Sequence, residues 1–273
     1  MTAPEHSALG RTVAYPERYD PSVLFPIPRA PKRAEIGVGA ALPFYGVDVW
    51  NAYELSWLDL RGKPEVALAE FRVLATSPAI VESKSFKLYL NSFAQERLDA
   101  ATLQARLARD LSAATGADVV VRLMRANAFA RERVHELDGD LIDALDIAID
   151  DYGPPKPEYL SASEDVSADE ALISHLLKSN CPVTGQPDWA SVQIRCAGVR
   201  LDRAGLLRYL VSFRRHNDFH EHCVERIYMD LMRFCAPRRL SVYARYTRRG
   251  GLDINPFRSS LDETPPNPRG ARQ

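Results

Sequence analysis

Apolar and polar positions divide this chain into strand-like and helical runs, and the order of those runs occurs twice. Val66 to Thr76 (VALAEFRVLAT) alternates as a half-buried strand does. The run before it, Val47 to Trp57, is dense in aromatic and aliphatic residues, and Arg61-Gly-Lys-Pro64 between them carries hairpin turn chemistry. A helix follows: Leu103, Leu107 and Leu111 form an i, i+4 core stripe, with Asp99 as N-cap and Gly116 at the C-terminal end. Asp118 to Met124 (DVVVRLM) returns as a strand. The acidic run from Asp138 to Asp151, with its IDALDIAID alternation, predicts a further strand with a solvated face.

Asp151-Tyr-Gly-Pro-Pro-Lys-Pro157 and the polar stretch through Ser167 read as a linker. Beyond it the pattern restarts. Ala171 to Leu177 is apolar and Ser191 to Ala197 alternates. Asp202 caps a helix through Leu206, Leu207, Leu210 and Phe213. Asp218 is expected to cap the next, which carries Phe219, Cys223, Ile227, Leu231 and Cys235 at helical spacing. Leu240 to Thr247 alternates again. Tyr89-Leu-Asn-Ser-Phe93 and Tyr209-Leu-Val-Ser-Phe213 share one pattern at matching places. The sequence therefore predicts an α+β chain made by tandem duplication of a β-β-α-α-β-β unit. The expected divisions are an extended arm over 1–34, one unit over 35–150, a linker over 151–169, a second unit over 170–258 and a flexible tail over 259–273.

Composition narrows the function. At 273 residues and 46% hydrophobic content the chain can bury a full core. A formal charge of −1 argues against a general nucleic-acid binder. Four cysteines without a CxxC pair give neither a disulfide framework nor a zinc ribbon. No apolar run approaches membrane-spanning length, and a reduced, soluble, cytoplasmic protein is the expectation. Gly37-Val-Gly39 opens like a dinucleotide fingerprint but runs into Pro43, so it is rejected as a nucleotide site.

The chemistry concentrates in Ser179-Asn-Cys-Pro-Val-Thr-Gly-Gln-Pro-Asp-Trp189. Cys181 sits in a turn stiffened by Pro182, Gly185 and Pro187, with Asp188 seven positions on. The spacing admits two readings: a buried, inert cysteine beside a solvated aspartate, or a thiol nucleophile with a proton donor at hand.

Four separated segments bear on that choice: Ser174 to Trp189 (SHLLKSNCPVTGQPDW), Glu82 to Phe93 (ESKSFKLYLNSF), Phe213 to Glu221 (FRRHNDFHE) and Tyr243 to Pro256 (YARYTRRGGLDINP). In this order they resemble the NADPH-dependent 7-cyano-7-deazaguanine reductases, the nitrile reductases of queuosine biosynthesis, over about Leu42 to Arg258. The resemblance implies tandem tunnelling-fold units, antiparallel sheets with helices packed on one face, and a homodimer. It implies that Cys181 adds to the nitrile as a covalent thioimide and that Asp188 gives the proton. Glu221 and Glu82 would bind the ring, with Ser83, Lys84, Phe219 and His220 around it. NADPH would be held by Lys84, Ser85, Lys87, Arg249 and Gly250. The expected ligand is a small 7-deazapurine nitrile, with no direct nucleic acid, no membrane and no metal. A zinc-dependent cyclohydrolase-like hydrolase of the same fold is the alternative, raised by His216, His220, His222 and Cys223; yet Val224 stands where HExxH needs its second histidine.

Overall fold

The computed structural model describes residues 15–273. The arm's residues 1–14 lie outside the described residues. In chain order the elements are β1 (Pro26–Pro28), α1 (Ala30–Glu35), β2 (Tyr45–Leu58), β3 (Pro64–Leu74), β4 (Ala79–Val81), α2 (Ser83–Asn91), α3 (Ala100–Thr115), β5 (Val119–Arg125) and β6 (Asp140–Leu141). There follow β7 (Ala162–Asn180), β8 (Pro187–Leu201), α4 (Arg203–Ser212), α5 (His220–Cys235), β9 (Arg239–Tyr246) and β10 (Leu252–Ser259). This is a mixed α+β chain of antiparallel sheets and helices.

The chain forms two compact units. Of the described residues, the first comprises 15–31, 48–133 and 248–254, and the second 32–47, 134–247 and 255–273. The first unit holds the β2–β3 hairpin, with β3 paired antiparallel to β5 from Ala67↔Arg125 to Val73↔Val119. Helices α2 and α3 supply Phe86, Tyr89, Leu103, Leu107 and Leu111 to its core, where they meet Trp50, Trp57, Phe71 and Phe93. The leucine stripe is thus core, as its spacing predicts. Asp99 accepts from Thr102 N at 2.8 Å, and Gly116 ends α3 in the left-handed region, so both predicted caps hold. In the second unit β7, β8, β9 and β10 follow one another antiparallel, while β6 joins β7 in parallel.

Local contacts recur at matching places in the two runs of elements. The Tyr89 hydroxyl donates to Asp110 at 2.7 Å, and the Tyr209 hydroxyl donates to Asp230 at 2.7 Å. Ser92 and Ser212 each donate to the tyrosine carbonyl three residues back, at 2.6 Å. Tyr89 meets Phe93 edge-on at 5.2 Å, and Tyr209 meets Phe213 at 5.3 Å. After the first strand of each hairpin comes a parallel bridge, Leu58 to Arg97 after β2 and Asn180 to Asn217 after β7. Glu82 and Asp202 occupy the same N-cap, on α2 and α4.

Four expectations are corrected. The run Asp138–Asp151 is mostly irregular; only β6 pairs, with Leu172 and Ile173, because its other alternating residues have no strand beside them. Residues 162–169, expected in the linker, begin β7, with Ala162 to Glu164 and Asp169 paired to β8. The tail is not loose: Gln273 is buried and its side chain is bonded to Arg245, Tyr246 and Asn255. Asp218 does not cap α5. The cap is Phe219, and the Asp218 carboxylate is held by His216 and His222 instead.

Candidate active site

Cys181 opens the turn between β7 and β8. Its N–H donates to Gln186 O at 2.9 Å, and Gly185 N–H donates back to Cys181 O at 3.0 Å. Closing this turn puts Gly185 at φ +67°, a conformation glycine adopts without penalty. The turn is anchored from below. Asn180 N–H donates to His216 O at 2.8 Å, Asp218 N–H to Asn180 O at 3.1 Å, and the Asn180 amide to Asn217 at 3.0 Å. Lys178 adds bonds to Asn180 at 2.5 Å and to Arg214 O at 2.7 Å. The thiol therefore stands on a fixed backbone, 7% exposed. Among the other three cysteines, burial pushes the Cys196 thiol up to about 12 and Cys235 to about 11, and raises Cys223 as well.

Asp188 lies in β8, where it pairs across the hairpin with Ser179, two residues before Cys181. Its carboxylate is 3.4 Å from His220 Nε2, and both side chains are largely buried. His220 is the first residue of α5, and its ring lies flat on Tyr246 with centroids 3.8 Å apart and planes at 22°. His220 Nδ1 is buried with no hydrogen-bond partner among the described residues. Glu221 follows in the first turn of α5, 1% exposed, where the helix N-terminus favours its negative charge. Phe219 is half-buried, its ring edge-on to His222 at 5.9 Å. Thus Cys181, Asp188, Phe219, His220 and Glu221 all belong to the second unit.

The sequence-predicted histidine and cysteine cluster resolves differently. His222 Nδ1 is 3.1 Å from Asp218 Oδ1, His216 Nε2 is 3.6 Å from Oδ2, and Lys32 Nζ is 3.7 Å from Oδ2. Burial by itself would raise the Asp218 carboxyl, but the nearby His216, the His222 contact and the Lys32 charge outweigh it and hold it well below the usual carboxylate range. Among the described residues no group of three or more His, Cys, Asp or Glu side chains is gathered to hold a metal ion.

The first unit carries the remaining predicted residues. Glu82 is fully buried and caps α2, with Oε1 accepting from Lys84 N at 2.6 Å and Oε2 from Ser85 N at 2.8 Å. Burial raises its pKa further than these backbone bonds lower it. Ser83 is half-buried, its hydroxyl 3.4 Å from Glu82 Oε1. The Ser85 hydroxyl donates to Glu82 O at 2.7 Å and accepts from Phe25 N at 3.0 Å, so it serves the fold. Lys87, one helical turn on, reaches the turn between β9 and β10. A Cβ added at Gly250 would stand 3.2 Å from Lys87 Cδ and Cε and 3.3 Å from Nζ. Arg249 shares that turn, its N–H donating to Leu252 O at 2.8 Å. Two segments far apart in sequence are therefore brought together: a lysine from α2, and a glycine turn that admits it because it has no side chain. Their charge and the open backbone fit an anionic dinucleotide.

Sequence reasoning missed Tyr246. It appeared only as one of the alternating residues of a strand, and no local pattern marks it as the ring beneath His220.

The chain also matches known families. Residues 15–123 match the family described as "Nitrile reductase, 7-cyano-7-deazaguanine-reductase N-term", and residues 187–265 match "QueF-like protein". Cys181 falls between the matched segments, but full-length relatives run across it. The chain is 62% identical over 273 residues to the NADPH-dependent 7-cyano-7-deazaguanine reductase of Chromobacterium violaceum, covering 99% of this chain and 98% of that one. To proteins of the same name it is 60% identical over 278 residues in Cupriavidus necator, covering all of both chains. In Bordetella pertussis the figure is 61% over 270 residues, covering 98% of each. The chain belongs to the family of NADPH-dependent 7-cyano-7-deazaguanine reductases. Nothing in these matches supports a zinc hydrolase.

Proposed function

We propose that this chain reduces the nitrile of 7-cyano-7-deazaguanine to an aminomethyl group with NADPH, through a covalent bond to Cys181. The observation that carries the reading is the fixed Cys181 turn in one unit with the Asp188–His220 pair. The Cys181 thiolate adds to the nitrile carbon, and one carbon–nitrogen π pair moves to nitrogen. Asp188 delivers the proton that makes this a neutral thioimide, and His220, 3.4 Å away, replaces the proton on Asp188. Bound NADPH would supply two hydrides, one to the thioimide carbon and, once the carbon–sulfur bond has broken with its electron pair returning to the thiolate, one to the resulting imine, whose nitrogen takes its last proton from the Asp188–His220 pair to give the amine.

Glu221 accepts the ring N1–H and 2-amino protons in bidentate fashion. Glu82, Ser83 and Lys84 provide further substrate contacts, and Phe219 with His220 covers the base. Lys84, Lys87 and Arg249 hold the cofactor phosphates, with Gly250 keeping the turn open and Ser85 bracing the helix start. The repeated β-β-α-α order supports a pair of tunnelling-fold units, and a homodimer acting in queuosine biosynthesis is part of the same reading.

Intact mass after incubation with 7-cyano-7-deazaguanine, without NADPH, tests it. The parent should gain one substrate mass, and Cys181→Ala should not. NADPH should then discharge the adduct, with two equivalents oxidised per nitrile. An active, folded parent that forms no adduct would remove Cys181 from this role.

A further inference from the structure

Tyr246 is the last residue of β9, and its backbone is held by side chains. Across β8 it pairs with Ala190 in the ordinary ladder. Toward β10 the regular pairs cover Tyr243↔Phe257 to Ser241↔Ser259. At Tyr246 two amides take their place: its N–H donates to Asn255 Oδ1 at 3.1 Å, and its carbonyl accepts from Gln273 Nε2 at 3.1 Å. The same Gln273 Nε2 donates to Asn255 Oδ1 at 2.8 Å, while Gln273 Oε1 accepts from Arg245 Nε and from Gly270 N, each at 3.0 Å. Every donor and acceptor of that amide is engaged, which fixes its orientation.

The segment that presents Gln273 is fastened along its length. Pro266 O accepts from Tyr243, Asn267 from Arg245 Nη1, and Arg269 O from His135 N, while Arg272 donates to His175 O. On the other side of the same residue, the Tyr246 ring lies 3.8 Å under His220. A ring held flat at that distance leaves the imidazole little freedom to rotate away from Asp188.

From this chain of contacts we infer that Pro266–Gln273 is a strap, and that Gln273 is a positioning residue which keeps His220 aimed at Asp188 by locking Tyr246. The inference rests on the proposed nitrile reduction for its catalytic consequence, though not for its geometry.

Gln273→Glu tests it with the fold preserved. The new carboxylate keeps the acceptor for Arg245 and adds a charge there, but it turns an oxygen toward the Tyr246 carbonyl and Asn255 Oδ1. Two readouts are needed. The first is the rate of substrate adduct formation, read well below the variant's own melting temperature and expected to fall about tenfold or more. The second, which needs no substrate, is the NMR chemical shifts of the His220 ring protons, assigned with His220→Gln, because the stacked Tyr246 ring imposes its ring current on them. Once Tyr246 is released those shifts should move. Unchanged His220 ring shifts in Gln273→Glu, or an adduct rate that merely follows thermal stability, would overturn the strap. A parent that forms no adduct would sink the nitrile reading instead, and the ring shifts would still decide the strap.

Discussion

The Tyr209 hydroxyl donates to Asp230 at 2.7 Å, joining α4 to α5 through two buried side chains. The corresponding bond, Tyr89 to Asp110, joins α2 to α3, but there the carboxylate also accepts from the Tyr19 hydroxyl at 2.5 Å and from Arg109 at 2.8 Å. Burial raises the Asp230 carboxyl, and the bond from Tyr209 is what chiefly opposes it.

The two tyrosine–aspartate pairs should therefore respond unequally to the same change. Tyr209→Phe strips a hydrogen bond from a buried carboxylate and should cost about 1–3 kcal/mol. Tyr89→Phe leaves Asp110 with two other donors and should cost less. Melting temperatures of the two variants decide the order, and a larger loss for Tyr89→Phe would contradict it.

Gly250→Ala should weaken the cofactor without touching the thiol. The residue has φ +56°, and an added Cβ would press on Lys87 at 3.2 Å. Left-handed strain of about 1–2 kcal/mol and displacement of Lys87 together predict a KM for NADPH raised on the order of tenfold. Adduct formation in the absence of cofactor should stay at the parent rate. An adduct defect equal to the KM defect would place Gly250 elsewhere.

Asp188→Asn should slow the addition step. The amide preserves shape and can still meet His220, yet it cannot give up a proton. Loss of a positioned acid predicts about a 10²- to 10⁴-fold slower adduct formation, with substrate affinity little changed. Stopped-flow or quenched mass measurements would read it, and a parent-like rate would mean the proton comes from another group.

Asp218 makes a pH prediction. Its carboxyl is depressed below the ordinary 3.8 by His216, His222 and Lys32. A depressed folded pKa contributes stability that is complete above the unfolded value and is lost as pH falls toward the folded one. Relative to Asp218→Asn, the parent should lose stability progressively below about pH 4 and match its neutral-pH advantage above it. An advantage that stays constant down to pH 2.5 would contradict the assignment.

Local signals were the legible ones. Asp99 and Gly116 stood at the ends of α3 because caps depend on residues within a single turn. The leucine stripe and the Cys181 turn were readable for the same reason. The alternation in Asp138–Asp151 misled because alternation describes a half-buried strand and says nothing about whether a neighbour exists to bury it. The tail misled through composition: SSLDETPPNPRGARQ lacks the apolar residues that hold a segment by burial, yet Gln273 holds it by four directed amide bonds. At Asp218 the carboxylate suited a cap, and two histidines near in sequence claimed it.

The sequence by itself determined the alternation of strands and helices, the caps of α3 and the stiff turn that carries the thiol. Each follows from periodicity or from residues a few positions apart. Tertiary structure alone decided that His220 rests on Tyr246, that its Nε2 meets Asp188, that Lys87 lies over Gly250, and that Gln273 closes on Tyr246. These contacts join residues whose separation along the chain carries no pattern, because they exist only once strand register has set which side chains share a space.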